Sequence, residues 1–208
     1  MTVFFTSDLH IGHRLVAHLR WNALGHQEGV DDETVVGWHD AHLAQGWDDL
    51  VDEGDQIWVL GDISAGGTSS QRKALEWLSE RPGNKHLIAG NHDGCHPMHR
   101  DSHKWQAEYL GVFDSVQSAA VRKVPTGLAN PATVRTLLSH FPYMEHGQHI
   151  PDRFTQWWLP DEGVPILHGH VHSDERVTFS DAGTQQIHVG LDAWDLKPVS
   201  LEQITELL

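Results

Sequence analysis

Residues 2–10 read Thr-Val-Phe-Phe-Thr-Ser-Asp-Leu-His, an apolar run closed by Asp8 and His10. A short apolar run bounded by polar residues is typical of a strand buried in a sheet. Residues 2–7 therefore predict a short strand that ends at Asp8. The sheets of α/β proteins place functional side chains at the carboxyl ends of their strands, so a site is expected at this junction.

Two further apolar runs end in the same way. Residues 56–60 stop at Gly-Asp, and residues 85–89 stop at Gly-Asn-His-Asp. A helical pattern over residues 31–51 separates the first two strands, and a second pattern, capped by Ser69 or Ser70, separates the last two. This alternation predicts a sheet with helices packed against it.

The second half of the chain consists mostly of predicted strands. Its first two apolar runs resemble an antiparallel pair, and its last two predict a hairpin. The predicted strands are residues 116–124, 133–139, 164–167, 176–179 and 186–191, and a last helix is expected over residues 201–208.

Composition narrows the class of protein. A chain of 208 residues with 39% hydrophobic content suits one α/β domain spanning residues 1–208. Lys plus Arg is 14 against 29 Asp plus Glu, a formal charge of −15, which opposes long duplex nucleic acid as a partner.

The single cysteine, Cys95, excludes an intrachain disulfide. No apolar segment fits a signal peptide or membrane span, so a cytoplasmic protein without a membrane partner is expected.

Metal-binding residue types follow five of the predicted strands. The chain has 18 histidines, so a single Asp-x-His or His-x-His match carries little weight. Five clusters in order, each after a short apolar strand, are far more specific. Carboxylate, amide and imidazole groups suit manganese, iron or zinc. The candidate ligands are Asp8, His10, Asp62, Asn91, His140, His170 and His172.

The spacing of these residues favours one pocket. In an extended chain, residues two apart face the same side, so Asp8 should point with His10, and His170 with His172. Two metal ions about 3.5–4 Å apart need a shared ligand, and Asp62 is the candidate bridge. A glycine precedes three of the ligands, where a sharp backbone turn is expected.

The order Asp-x-His, Gly-Asp, Gly-Asn-His-Asp, His, Gly-His-x-His, from residue 8 to residue 172, resembles the signature of the calcineurin-like metallophosphoesterases. Residues 6–13 and 189–192 further resemble a small bacterial and phage subgroup of predicted phosphoesterases. The resemblance implies a four-layer α/β/β/α sandwich with mixed sheets, two metal ions and hydrolysis of phosphate esters.

The resemblance also implies a role for each residue. One metal would be held by Asp8, His10, Asp62 and His172, and the other by Asp62, Asn91, His140 and His170. A metal-bound hydroxide would attack phosphorus, with Asp62 bridging the metals and His92 acting as general acid near the leaving group. Asn91, His92 and His13 would contact the substrate phosphate. Asp93 is expected to support His92 or a ligand histidine.

One departure bears on the substrate. The phosphoprotein phosphatases of this superfamily carry Gly-Asp-x-Val-Asp-Arg-Gly, whereas residues 61–66 read Gly-Asp-Ile-Ser-Ala-Gly here. The phosphate-clamping arginine of that class is therefore missing. Since a diester has fewer charges to clamp, a phosphodiesterase on small substrates such as cyclic nucleotides is expected ahead of a small-metabolite phosphomonoesterase.

Three questions stay open at this point. A non-catalytic interaction scaffold with the same fold is the rival from another class, and the complete ligand set with His92 opposes it. Manganese or iron is expected at the metal sites, with zinc and nickel as alternatives. The oligomeric state is not fixed by the sequence.

Other residues receive structural interpretations. His39 and His42 are three apart on a predicted helix and are expected on a solvated face. His168 is expected behind the ligands, and Cys95 is expected to pack as a small apolar residue. The adjacent tryptophans 157–158 could stack a nucleobase, although simple packing is the alternative.

Overall fold

The computed structural model describes residues 1–27, 29–130, 132–143 and 153–208. The strands in these ranges are β1 Val3–Thr6, β2 Gln56–Val59, β3 Asn84–Ile88, β4 Ser115–Gln117, β5 Ala119–Pro125, β6 Thr133–Ser139, β7 Ile166–His168, β8 Val177–Phe179, β9 Gln185–His188 and β10 Val199–Ser200. The α-helices are α1 Arg14–Ala23, α2 Asp32–Asp48, α3 Thr68–Ser79, α4 Ser102–Leu110 and α5 Leu201–Thr205. Short 3-10 turns span Thr155–Trp157 and Leu191–Ala193.

The strands form two five-stranded sheets. The first has the order β10-β1-β2-β3-β4, with β1 to β4 parallel and β10 antiparallel to β1. The second has the order β5-β6-β7-β9-β8, with β6, β7 and β9 parallel and an antiparallel strand at each edge. Two mixed sheets with helices confirm the predicted α/β class. Because neighbouring parallel strands end at one edge, the residues after β1, β2 and β3 lie together.

Each face of the first sheet contributes to an apolar core. Successive strand residues point to opposite faces, so Ile57 and Val59 join a core with helices α2, α3 and α4. Trp58 and Leu60 join a second core with Leu138 and other residues of the second sheet. Burial on both faces explains why β1 and β2 are almost continuously apolar rather than alternating. The two sheets are therefore held face to face.

The helix starts reflect local capping. Asp31 caps α2, and its side chain accepts the backbone N–H of Thr34 at 3.0 Å. Ser200 and Gln203 form the predicted capping box of α5. Helix α3 begins after Gly67, so the prediction that one of the two following serines caps it was wrong. The backbone turns into the helix earlier than the serines.

Helices α1 and α4 were not predicted. Helix α1 buries Val16, Ala17 and Arg20, whereas Leu15 and Leu19 are exposed. An arginine in the buried stripe and two leucines outside it conceal the apolar period that identifies a helix. No helix in the described ranges has the length and apolar character that a membrane crossing requires.

The predicted strand over residues 116–124 is divided between two sheets. Gln117 ends β4 in the first sheet, and Ala119 begins β5 in the second. The chain thus changes sheets at Ser118. Periodicity continues across this point and cannot reveal the change of partner. The antiparallel pairing of β5 with β6 and the β8–β9 hairpin agree with prediction.

Replacing Leu138 by alanine is expected to lower the free energy of unfolding by about 2–5 kcal/mol, because this fully buried side chain fills the space between the sheets. Urea denaturation would measure the change. Leu110→Ala is the matched control, since Leu110 is 51% exposed, and its effect should stay within about 0.5 kcal/mol. Equal effects would contradict this assignment of the core.

Candidate metal centre

Two groups of metal-binding side chains meet where strands of both sheets end. The first cluster is Asp8, His10 and His172, and the second cluster is Asp62, His140 and His170. Within each cluster, one ligand atom of each residue lies within 4.8 Å of the others. Each cluster combines residues that follow strands of the first sheet with histidines that follow strands of the second. The site therefore forms only where the two sheets pack together.

The carboxylate of Asp62 lies between the clusters. Its Oδ2 is 3.5 Å from Nε2 of His140 and 3.9 Å from Nε2 of His10. Its Oδ1 accepts the backbone N–H of His92 at 2.8 Å, which fixes the orientation of the carboxylate. On the side of the second cluster, Oδ1 of Asn91 lies 3.1 Å from Nε2 of His140. A carboxylate in this position can bridge two cations.

Five candidate ligands have left-handed backbone conformations. Asp8, His10, Asp62, His170 and His172 have φ angles of 59°, 50°, 56°, 73° and 50°. This region is sparsely used by residues other than glycine. The expectation that Asp8 with His10, and His170 with His172, converge because each pair lies in an extended segment was therefore wrong. They converge because the chain turns sharply at each ligand, an arrangement that clusters at functional sites.

The glycines near the ligands serve two different purposes. Gly61 has a φ of 91°, as the predicted sharp turn requires. Gly90 and Gly169 are required instead by close approach. A Cβ at Gly90 would lie 2.7 Å from the backbone nitrogen of Asp62, and one at Gly169 would lie 2.6 Å from Oδ2 of Asp8.

Hydrogen bonds on the far side of three rings aim their Nε2 atoms at the pocket. Nδ1 of His140 lies 2.7 Å from the carbonyl of Leu60, and Nδ1 of His10 lies 3.2 Å from the carbonyl of Ser64. Nδ1 of His172 lies 3.0 Å from Oδ2 of Asp192. In each ring, Nδ1 must donate to these acceptors, which leaves Nε2 for a cation. This is how protein metal sites orient histidine.

The protonation of these rings follows from burial and charge. Burial lowers the pKa of His10 to about 3 and that of His170 to about 4. Both rings are therefore neutral at pH 7. Burial also lowers the pKa of His140, but the carboxylates of Asp62 and Asp8 outweigh burial and raise its pKa above the ordinary value.

The residues present fit a cation in each cluster. Oδ1 of Asp8 is buried and has no hydrogen-bond partner within the described part of the chain. It lies 3.7 Å from Nε2 of His172 and 4.0 Å from Nε2 of His10. Those two nitrogens lie 3.1 Å apart. A buried carboxylate oxygen beside two imidazole lone pairs is costly unless a cation binds between them, so the two clusters indicate a dinuclear metal site.

His92 and His13 lie beside the first cluster. The His92 side chain is 42% exposed, and its Nε2 lies 3.9 Å from Oδ2 of Asp62. The His13 ring is half-buried and lies 5.2 Å from the His10 ring. Burial lowers the pKa of His13, and the neighbouring imidazoles lower it further. Both rings can therefore reach a molecule that enters the pocket.

The prediction that Asp93 supports a histidine was wrong. Its buried carboxylate accepts the backbone N–H groups of Asp62, Ile63 and Gly90 at 2.9, 3.1 and 2.8 Å. Burial and the charge of Asp62 raise the pKa of Asp93, and the donated hydrogen bonds oppose that rise. Asp93 thus joins the loops that follow β2 and β3, and it holds their ligands in place.

The solvated face predicted for His39 was also wrong. His39 is fully buried, and its Nδ1 lies 2.8 Å from Oδ1 of Asp40. Its Nε2 lies 3.0 Å from Nη1 of Arg20. The half-buried His42 stacks on Trp38 with ring centres 5.2 Å apart. The two histidines of this helix therefore have different surroundings.

His168 belongs to neither cluster. Its ring stacks on His188 with centres 5.4 Å apart, at paired positions of β7 and β9. Burial lowers the pKa of His168 to about 3 and also lowers that of His188. Cys95 is buried in the core between the first sheet and the helices, as expected.

The comparison with known families agrees with this geometry. The calcineurin-like phosphoesterase family matches residues 1–174, which contain both clusters. The chain belongs to this family. Membership in the calcineurin-like phosphoesterases explains why ligands from two sheets converge, and it supports a metal-dependent phosphoesterase.

Relatives of this calcineurin-like phosphoesterase occur in phages. The chain is 47% identical to the Gene 66 protein of Mycobacterium phage L5 over 206 residues, covering 99% of this chain and 93% of that one. It is also 47% identical to the Gene 66 protein of Mycobacterium phage D29 over 209 residues, covering 99% and 95%. A solved structure of a protein of unknown function from Aquifex aeolicus shares the fold, with 21% identity, a TM-score of 0.62 and coverage of 100% and 99%.

Two residues that contact the ligands were given no role from the sequence. Asp192 accepts hydrogen bonds from His172 and Arg20. The resemblance of residues 189–192 to the phage subgroup was the available indication for Asp192. Nothing in the sequence indicated a role for Arg20, since it lies in helix α1, whose apolar period is concealed.

Metal binding at neutral pH is expected to release about one proton from His140. The nearby carboxylates keep its pKa above the ordinary value, so the metal-free ring is mostly protonated and must lose that proton to bind a cation. Affinity should consequently fall as the pH is lowered through neutrality. Calorimetric titration with Mn²⁺ in buffers of different ionisation enthalpy measures the release. His140→Ala should reduce the release, with the remainder coming from His172, whose pKa is raised, against the effect of burial, by the hydrogen bond to Asp192 and the charge of Asp8. An unchanged release in that variant would contradict the assignment.

Proposed function

We propose that the chain hydrolyses phosphodiesters of small molecules, such as cyclic nucleotides, at its dinuclear site. The observation that carries the proposal is the position of the Asp62 carboxylate between the two clusters, with the partly exposed His92 beside it. Bound cations would supply Lewis-acid charge and lower the pKa of water. Manganese or iron suits this mixture of carboxylate, amide and imidazole donors, with zinc or nickel as the alternative.

Different residues would hold the cations and orient the phosphate. Asp8 and Asp62 supply the buried negative charge that holds the cations, and Asn91 places its amide on the side of the second cluster. His99 donates to the backbone carbonyl of Asn91 at 2.9 Å and thereby fixes this segment. His13 and the Asn91 amide can donate hydrogen bonds to phosphate oxygens. Their role is to orient the phosphate for in-line displacement.

His92 is the proposed proton donor to the departing oxygen. Its backbone N–H is bound to Asp62, which fixes the position of the residue. Its side chain is 42% exposed, so the ring faces the incoming ester rather than the interior. An exposed imidazole held beside the metal-binding pocket is suited to general acid catalysis.

The charge near the site favours a diester over a monoester. Among the arginines in the described ranges, Arg20 is the one that contacts a candidate metal ligand. Its side chain is 3% exposed and is hydrogen-bonded to Asp192. It therefore cannot reach a substrate. A dianionic monoester would lack the arginine clamp that phosphoprotein phosphatases use, whereas a monoanionic diester needs less compensation.

Aromatic rings beside the second cluster support an organic substituent on the phosphate. The His170 ring lies 6.4 Å from the half-buried Phe154. Farther out, Trp157 lies 5.2 Å from His96. Apolar rings beside a polar centre are typical of sites that bind an aromatic group such as a nucleobase.

The first test is turnover of a bis-nitrophenyl phosphodiester and of the matching monoester by metal-stripped protein, with and without added Mn²⁺. Turnover is expected only with metal, with a higher kcat/KM for the diester. A higher kcat/KM for the monoester would favour the small-metabolite phosphomonoesterase. Absence of both turnover and metal binding would favour the interaction scaffold.

His92→Ala is expected to lower kcat by about 10²–10⁴-fold for a diester with an aliphatic alcohol as leaving group. The loss should be smaller with nitrophenyl esters, because nitrophenolate leaves without being protonated. Metal content, measured by elemental analysis, should not change. Asp62→Ala is the contrasting control, since it should lose both metal and turnover. Equal losses for both leaving groups would contradict the role of His92.

A further inference from the structure

Arg20 makes contacts that connect two candidate ligands distant in the sequence. Its Nε and Nη2 donate to the two carboxylate oxygens of Asp192 at 2.8 and 2.9 Å. The same carboxylate accepts Nδ1–H of His172 at 3.0 Å. Nη2 also donates to the backbone carbonyl of Asp8 at 2.8 Å. One guanidinium therefore touches the backbone of one ligand and the hydrogen-bond partner of another.

The contact with Asp8 bears on its unusual backbone. Asp8 has a φ of 59°, and its carbonyl points at the guanidinium. Nη1 of Arg20 also approaches the carbonyl of Leu9, at 3.4 Å. Donors on two successive carbonyls favour this conformation over the extended one. Arg20 thus stabilises the turn that aims the Asp8 carboxylate at the pocket.

Arg20 is itself held in place by a buried histidine. Nη1 lies 3.0 Å from Nε2 of the buried His39. Because a guanidinium can only donate, His39 must accept through Nε2, and its Nδ1 then donates to Asp40 at 2.8 Å. Both oxygens of Asp40 lie 3.1 Å from the backbone nitrogen of Gly12. The chain of contacts therefore returns to the loop that carries His10.

We infer that Arg20 is a positioning residue that holds the first cluster in its metal-binding geometry, through the Asp192 carboxylate and the Asp8 backbone. The inference rests on the proposed metal-dependent function. The guanidinium is 3% exposed, so it acts through the ligands rather than on the substrate. Lysine cannot replace it, since one ammonium group cannot bind both carboxylate oxygens and a carbonyl in this planar arrangement.

The test is calorimetric titration of metal-free protein with Mn²⁺. Wild type should bind two ions per chain. Arg20→Lys should weaken one of the two sites by about 10–100-fold, the usual effect of losing a residue that orients a metal ligand. The other site should keep its affinity. A general loss of structure would not be selective for one site.

Two further variants make the result decisive. Asp192→Asn removes the charge that joins Arg20 to His172, and it should weaken the same single site even where Arg20→Lys fails to fold. Arg72→Lys alters an exposed ion pair with Glu108 and should bind both ions as wild type does. Unchanged binding, or equal weakening of both sites, in Arg20→Lys and Asp192→Asn would overturn the inference. Failure of wild type to bind two ions would overturn the proposed function instead.

Discussion

The burial of two carboxylates in one pocket is the constraint on which the rest of the structure depends. Asp8 and Asp62 are almost fully buried. Burial and the charge of Asp62 act to raise the pKa of Asp8, but the neighbouring imidazoles outweigh them and hold that pKa below its ordinary value. Two such charges are tolerated only with cationic or hydrogen-bonding compensation. The neighbouring imidazoles, the backbone N–H donors and the metal ions that the clusters fit all provide it. The packing of the two sheets brings these groups to one place.

The parts of the site predictable from sequence are those set by strand ends. The strand before Asp8 and the strand before Asp62 were predicted because buried parallel strands are continuously apolar, and their ligands follow directly. The order of the ligand motifs then identified the family. These features are local, since each depends on a few adjacent residues.

The parts that sequence did not predict are those set by tertiary contacts. Arg20 lies on a helix that was missed, and nothing near it in sequence indicates that it reaches Asp192. The role of Asp93 could not be read from its place beside His92, because its carboxylate accepts backbone N–H groups of the loop after β2 as well as of its own loop. The change of sheet at Ser118 is likewise decided by partners that lie elsewhere in the chain.

The left-handed ligands imply that metal binding and fold stability make opposing demands on the same residues. A residue other than glycine in this conformation costs roughly 1–2 kcal/mol, and five ligands adopt it. Glycine at any of these positions would relax the backbone and remove the ligand at the same time. Selection for thermal stability alone would therefore tend to replace the metal ligands with glycine. Asp and His at five strained positions indicate backbone strain that the chemistry of the site requires rather than the fold.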